Sequence, residues 1–207
     1  MKFIVISDTH GYHQELELPG GDVLLHAGDI TDRGTKGEVI DFLDWFASQD
    51  YKHKIFIGGN HDLFLDDYPV ELLELLPANV IYLKDNGCKI KNLQLWGSPV
   101  SPDLVGWAFG KERWEMADHW KYLPSKIDIL ITHTPPFGIL DTPTSSSRNL
   151  GCEALLDMVH FIEPKYHLFG HIHASYGKMA ETGTTFINAS NMNSYMGLVN
   201  PPVVFEV

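Results

Sequence analysis

The stretch Val23-Leu24-Leu25-His26-Ala27-Gly28-Asp29-Ile30-Thr31-Asp32-Arg33-Gly34 decides how the rest of the chain is read. Its first five residues are a short, nearly unbroken apolar run, the pattern of a strand covered on both faces. Gly28 then allows the backbone to turn tightly, and Asp29 follows at once. The same grammar recurs four times. Residues 3–6 run into Ser7-Asp8-Thr9-His10, and residues 55–57 into Gly58-Gly59-Asn60-His61-Asp62. Residues 129–131 run into Thr132-His133, and residues 166–169 into Gly170-His171-Ile172-His173. In open α/β sheets ligands bind at the carboxyl ends of the strands, so five such ends can converge on one site.

The residues collected there are Asp8, His10, Asp29, Asn60, His133, His171 and His173. Imidazole with carboxylate and amide oxygen suits manganese, iron, zinc, nickel or cobalt, and suits calcium poorly, since calcium takes oxygen only. Seven protein ligands exceed what one transition metal accepts. They suit two ions about 3.5–4 Å apart that share a carboxylate. Taken singly, Asp-x-His, Gly-Asn-His-Asp or Gly-His-x-His is a weak signal. The three together, in this order and each at a strand end, are specific.

Between the strands lie helical patterns. Thr35-Lys36-Gly37-Glu38 forms a capping box, with Val39, Phe42, Leu43, Phe46 and Ala47 then recurring on one helical face. Pro69 opens a helix through Leu76 that Pro77 stops, and residues 151–162 make a third with Leu155, Leu156, Met158, Val159 and Ile162 inward. Further apolar runs at 80–83, 93–96, 127–131, 184–187 and 203–207 read as strands. Strands alternating with helices argue for an α/β class. No repeat or linker interrupts the 207 residues, and the Ser/Thr/Pro-rich residues 142–148 are only a loop's length, so one domain over 1–207 is expected.

The formal charge is −12. Affinity for duplex nucleic acid or anionic membrane scales with Lys/Arg contacts, so neither is an expected partner. An anionic ligand would need positive charge from elsewhere, and multivalent metal supplies it. No apolar run approaches the roughly 20 residues of a membrane span, and residues 3–6 are too short for a signal-peptide core. Two isolated cysteines, Cys88 and Cys152, form no framework; a reduced, cytoplasmic protein is expected. His26 and His167 fall inside strand runs and read as hydrogen-bonded core. His53, His119 and His160 read as surface, and His13, near the first cluster, could reach a substrate. Trp96, Trp107 and Phe109 fit either one wall of a cleft or aromatic core.

The motifs Asp8-x-His10, Gly28-Asp29, Gly59-Asn60-His61-Asp62, Thr132-His133 and Gly170-His171-x-His173 resemble those of the calcineurin-like metallophosphoesterases. Trp96-Gly97-Ser98-Pro99, Thr132-His133-Thr134-Pro135-Pro136, Gly138-Ile139-Leu140-Asp141 and Asn200-Pro201-Pro202-Val203 are similar to a small bacterial and brain-type metallophosphoesterase-domain subgroup. The resemblance implies two mixed β-sheets packed as a sandwich and flanked by helices. It implies one metal on Asp8, His10, Asp29 and His173, a second on Asp29, Asn60, His133 and His171, and Asp29 as the bridge. Manganese comes first among the candidate metals. Two such ions would turn a shared water into hydroxide near neutral pH for attack on a small phosphoester. His61, directly after Asn60, is then the candidate general acid. Gly28-Asp29-x-x-Asp32-Arg33-Gly34 is similar to the related serine/threonine phosphatases, which implies that the Asp32 carboxylate orients His61 and that Arg33 binds phosphate; Asp62 is the rival orienter. A phosphodiesterase acting on small diesters, cyclic nucleotides among them, is the expected activity. A phosphomonoesterase is the near alternative, and a noncatalytic scaffold of the same fold the distant one. The sequence leaves the oligomeric state open.

Overall fold

Each continuous apolar run forms a strand in the computed structural model, which describes residues 1–144 and 147–207. In chain order the strands are β1 (Lys2–Ile6), β2 (Val23–Ala27), β3 (His53–Ile57), β4 (Ile81–Tyr82), β5 (Asn86–Ile90), β6 (Leu93–Ser98) and β7 (Ser101–Pro102). They continue with β8 (Gly110–Lys111), β9 (Ile129–Thr132), β10 (Tyr166–Phe169), β11 (Gly177–Glu181), β12 (Thr184–Asn188) and β13 (Val203–Glu206). The helices are α1 (Lys36–Ser48), α2 (Leu63–Asp67), α3 (Pro69–Leu75), α4 (Met116–Trp120) and α5 (Glu153–Ile162). One sheet has the order β13-β1-β2-β3-β4 and the other β11-β12-β10-β9-β6-β5. Both are mixed, with parallel centres and antiparallel edges at β13, β11 and β5.

The two sheets face each other across a core of Phe3, Val5, Leu25, Ile55 and Ile57 from one side and Leu95, Ile129, Ile131, Leu168 and Ile187 from the other. Their outer faces are covered as well. Ile4, Leu24 and Phe56 meet Phe42 and Phe46 of α1, while Leu130, Phe169 and Phe186 share a cluster with Leu155 and Val159 of α5. Burial on both faces is why these strands read as unbroken apolar runs. The capping box forms as read: Thr35 accepts from the Glu38 N–H, and the Glu38 carboxylate accepts from the Thr35 N–H.

Strands that the apolar pattern does not mark are β5, β7, β8 and β11. The first and last are edges, with residues such as Lys89 and Lys178 in water, so alternation and apolarity are weak there. Thr182-Gly183, both at positive φ, turn β11 into β12, a hairpin signal short enough to overlook. Within 142–148, residues 145 and 146 lie outside the described residues, and the remainder has neither helix nor strand.

His26 and His167 are core residues, both 0% exposed. The His26 Nδ1 accepts the Gly28 N–H at 3.2 Å and its Nε2 lies 3.0 Å from the Thr9 hydroxyl. The His167 Nε2 lies 2.9 Å from the Thr132 hydroxyl, which itself donates to the Thr134 carbonyl, so this nitrogen is the donor. Burial pushes both imidazoles down to about 3. A folded-state value below the unfolded 6.5 means that the unfolded chain binds more protons. The stability these residues contribute is therefore present above pH 6.5 and is lost as pH falls toward 3, at about 1.4 kcal/mol per pH unit for each proton. His167→Gln, which keeps a donor, should make the fall of the urea midpoint between pH 6 and 4 shallower by about one proton. An unchanged slope would mean that His167 is protonated in the native state.

Candidate functional site

The parallel strands β1, β2 and β3 end beside β9 and β10 of the other sheet, and hydrogen bonds from main-chain N–H groups sew the two ends together. Asn191 N donates to Ser7 O at 2.9 Å, and His171 N to the Asp8 carboxylate at 3.0 Å. Four of the residues singled out for metal binding sit at these ends in left-handed backbone: Asp8 (φ 53°), His10 (φ 43°), Asp29 (φ 56°) and His171 (φ 65°). Non-glycine residues enter this region at a cost of order 1 kcal/mol or more and cluster there at functional sites. Gly170 shows how tightly the ends are drawn together. Any Cβ on it would overlap the Asp8 carboxylate and the Ser7 hydroxyl.

The seven residues come together in two groups joined through one carboxylate. Ligand atoms of Asp8, His10 and His173 lie within 4.8 Å of one another, as do those of Asp29, His133 and His171. The His173 Nε2 lies 3.4 Å from Asp8 Oδ1 and 3.4 Å from His10 Nε2. The Asp29 Oδ2 lies 3.3 Å from His133 Nε2 and 3.7 Å from His10 Nε2, one atom facing both groups. Asn60 Oδ1 completes the second group, 3.0 Å from His133 Nε2.

This donor set calls for cations. His133 donates its Nδ1–H to the Ala27 carbonyl at 3.0 Å, which turns its Nε2 lone pair toward two acceptor oxygens, Asp29 Oδ2 and Asn60 Oδ1. His173 donates Nδ1–H to the Asn193 carbonyl at 3.3 Å and likewise presents Nε2 to Asp8. A proton is the simplest cation that can sit between such groups. Burial pushes His133 down, but the charge and hydrogen bond of Asp29 outweigh it and bring His133 up to about 9. The same partnership keeps the Asp29 carboxyl well below the usual range despite its burial. For Asp8 burial is likewise outweighed, first by the hydrogen bond and charge of His173. His171, buried beside His133, is pushed down to about 4 and so stays neutral, the form that ligates metal. Ionised buried carboxylates facing imidazole nitrogens, where a metal can take the place of the shared proton, fit divalent metal ions.

His61 stands at the rim, half-buried, with its ring 4.7 Å from that of His10. Its main-chain N–H donates to Asp29 Oδ1 at 2.8 Å. The group that orients its ring differs from the expectation. Nδ1 donates to the main-chain carbonyl of Asp32 at 2.7 Å, not to the Asp32 carboxylate. That carbonyl is itself placed by α1, because Glu38 Oε1 accepts the N–H groups of Asp32 and Arg33. The Asp32 carboxylate does lie within 4.8 Å of ring nitrogens of His10 and His61. Arg33 extends into solvent, its side chain 84% exposed and its Nε 3.8 Å from Asp32. The rival orienter, Asp62, has a different task. Fully buried, it accepts from Gly59 N, Ile30 N, Thr31 N and the Thr31 hydroxyl, tying the two loops together. Burial and the nearby Asp29 charge push it up to about 7.

His13 does not face the site. It is 0% exposed, lies 3.1 Å from Asp41 and packs against Phe42 and Trp45. His119 is not a free surface residue either, since its Nε2 meets Ser98 Oγ and Asp85 Oδ1, each at 3.2 Å. Of the three aromatics, Trp107 alone is seen against a site residue, its ring 4.8 Å from His61. Phe109 is buried core, and Trp96 packs against the same core cluster. Sequence reasoning missed the orienting carbonyls of Ala27, Asp32 and Asn193. A main-chain carbonyl carries no side-chain signature, although Asn193 belongs to a turn in which its Oδ1 accepts from Tyr195 N and Gly197 N.

Fold and site together define a metallophosphoesterase-type hydrolase scaffold. Residues 1–175 match the calcineurin-like phosphoesterase family. The chain is 37% identical over 230 residues to metallophosphoesterase domain-containing protein 1 of Homo sapiens, covering 100% of this chain and 71% of that one. It is also 37% identical over 221 residues to UPF0046 protein K07C11.7 of Caenorhabditis elegans, covering 100% and 75%. The solved structure of TT1561 of Thermus thermophilus shares the fold, with a TM-score of 0.66 over 90% of this chain and 88% of that one at 12% identity. The chain belongs to the calcineurin-like phosphoesterase family. Among the described residues no helix is long and apolar enough to cross a membrane, and both cysteines are free.

Proposed function

We propose that the protein is a binuclear-metal phosphodiesterase acting on small phosphodiesters, cyclic nucleotides among them. The observation that carries the reading is Asp29 Oδ2, one oxygen facing two histidine-rich groups. Asp8, His10, Asp29 and His173 would hold one ion, and Asp29, Asn60, His133 and His171 would hold the other. Oxygen and imidazole without thiolate suit manganese, iron, zinc, nickel or cobalt, and manganese is the ion to try first. Metal bound there would supply an acidified water and the positive charge that a phosphoryl group needs in a chain of net charge −12. His61 protonates the leaving oxygen. Its Nδ1–H is committed to the Asp32 carbonyl, so Nε2 carries the transferable proton.

Diesters are favoured over monoesters because the charge fixed by side chains is small. Arg33 is the cation nearest the cluster in sequence, and it is exposed and half engaged with Asp32. A singly charged diester asks less of it than a doubly charged monoester. The acidic surface speaks against duplex nucleic acid, and the free cysteines fit a cytoplasmic setting. Elemental analysis of purified protein, followed by assays of matched nitrophenyl mono- and diesters with added Mn²⁺, tests the reading. Metal-loaded protein that hydrolyses neither would favour the scaffold alternative.

Two rim residues carry expectations of their own. Arg33→Ala should weaken inhibition by inorganic phosphate about tenfold, from loss of a charge-assisted contact, with metal content unchanged. An unaltered inhibition constant would leave Arg33 as a solvated cation. Asp32→Ala keeps the carbonyl that holds His61, so its turnover should fall far less than that of His61→Ala. Equal losses would return the orienting role to the carboxylate.

A further inference from the structure

We infer that Trp107 forms the leaving-group subsite and favours esters whose departing alcohol is, or carries, a planar aromatic group. The inference rests on the reading of His61 as the general acid. A proton donor must lie within hydrogen-bond reach of the leaving oxygen, so whatever lies beside His61 lies beside the leaving group. What lies there is the Trp107 ring, 4.8 Å from the imidazole and tilted 47° to it. Trp107 is nonetheless 48% exposed, so the side chain has surface left to offer. Gly106 has open space around it, and Val105 is 60% exposed.

Trp107 is a fixed surface and not a loose loop tip. Trp107 N donates to Leu104 O at 2.9 Å, and Gly110 N to Trp107 O at 3.2 Å, which closes the turn on both sides. The next residue, Ala108, donates to the carbonyl of Asn60 at 3.2 Å. Phe109 donates its N–H to Asp66 Oδ2 at 2.8 Å and lays its ring against Gly58, where a Cβ would collide with it. The segment that carries the tryptophan is thereby clamped to the loop that carries Asn60 and His61. On the far side, Arg113 Nε donates to Asp103 Oδ2 at 2.7 Å and Nη1 to Gly151 O at 2.9 Å, holding the base of the loop. A ring carried on backbone held this firmly loses less freedom than one on a loose loop when a second ring stacks on it, and such stacking tolerates many different planar groups.

The alternative role for such a ring is to tune the imidazole by cation–π attraction. Tuning would act alike on esters whose leaving groups are equally acidic, whereas stacking acts only on those with a planar leaving group. Methyl phenyl phosphate and methyl hexafluoroisopropyl phosphate have leaving groups of comparable acidity, one planar and one not. On metal-loaded protein, Trp107→Ala should lower the ratio of kcat/KM for the phenyl over the fluoroalkyl ester about tenfold, and Trp107→Phe should keep most of that ratio. Metal content should stay at the wild-type value in both. An equal loss on both esters would overturn the subsite in favour of tuning, and unchanged constants on both would overturn it by leaving Trp107 no part in turnover. If loaded wild-type protein turned over neither ester, the phosphodiesterase reading itself would fail and take the subsite with it.

Discussion

Asp29→Ala is expected to abolish turnover and to leave the protein with at most one equivalent of metal. The carboxylate is 2% exposed and one of its oxygens faces nitrogens of both histidine groups. Its other oxygen accepts the N–H of His61, so the same substitution also frees the main chain of His61. Residues that only support a metal ligand typically cost 10–100-fold when removed, and loss of a shared ligand should exceed that well. The variant also strands His133, whose partner charge has gone. Breaking a buried pair costs about 3–5 kcal/mol, so stability must be checked beside activity. Asp29→Asn provides the control. It keeps an acceptor for His61 N while removing the charge that both ions would share. Two full equivalents of metal in either variant, by elemental analysis, would sink the bridging assignment.

His61→Ala should retain both metals and lose about 10²–10⁴-fold in turnover, the usual worth of a positioned general acid. The loss should be largest for alkyl leaving groups and shrink for nitrophenol, which departs without protonation. The side chain makes its hydrogen bond at the rim, to the Asp32 carbonyl, and Ala leaves the buried ligands untouched. Metal content measured beside the kinetics separates the two roles open to this imidazole. A loss of one metal equivalent would make His61 a ligand. A uniform loss across leaving groups, with metals intact, would mean that it positions substrate and does not protonate.

Much of the molecule is legible from local rules because the chemistry repeats at the same grammatical position. Unbroken apolar runs identify the central strands, since those strands are covered by the partner sheet on one face and by helices on the other. The residue that follows each run then belongs to a strand end, and strand ends are where ligands gather. The Thr35–Glu38 capping box is equally local, and it forms as read. Edge strands β5 and β11 escape the pattern because one side of each is solvated, and nothing compels their residues to be apolar.

The sequence by itself determined the class of the fold, the helix α1 with its cap, and the seven side chains from which a metal centre could be built. These depend on side-chain type and on short-range order, which are written in the chain. Only the tertiary structure decided which atoms meet. It took the orientation of His61 away from a carboxylate and gave it to the Asp32 carbonyl, buried His13, set Asp62 to tying loops, and brought Trp107 across 46 positions of chain to His61. The reason is physical. A carbonyl's usefulness, a histidine's burial and a ring's neighbour are fixed by the register of two sheets and the loops that close on them, and register is a property of the whole core.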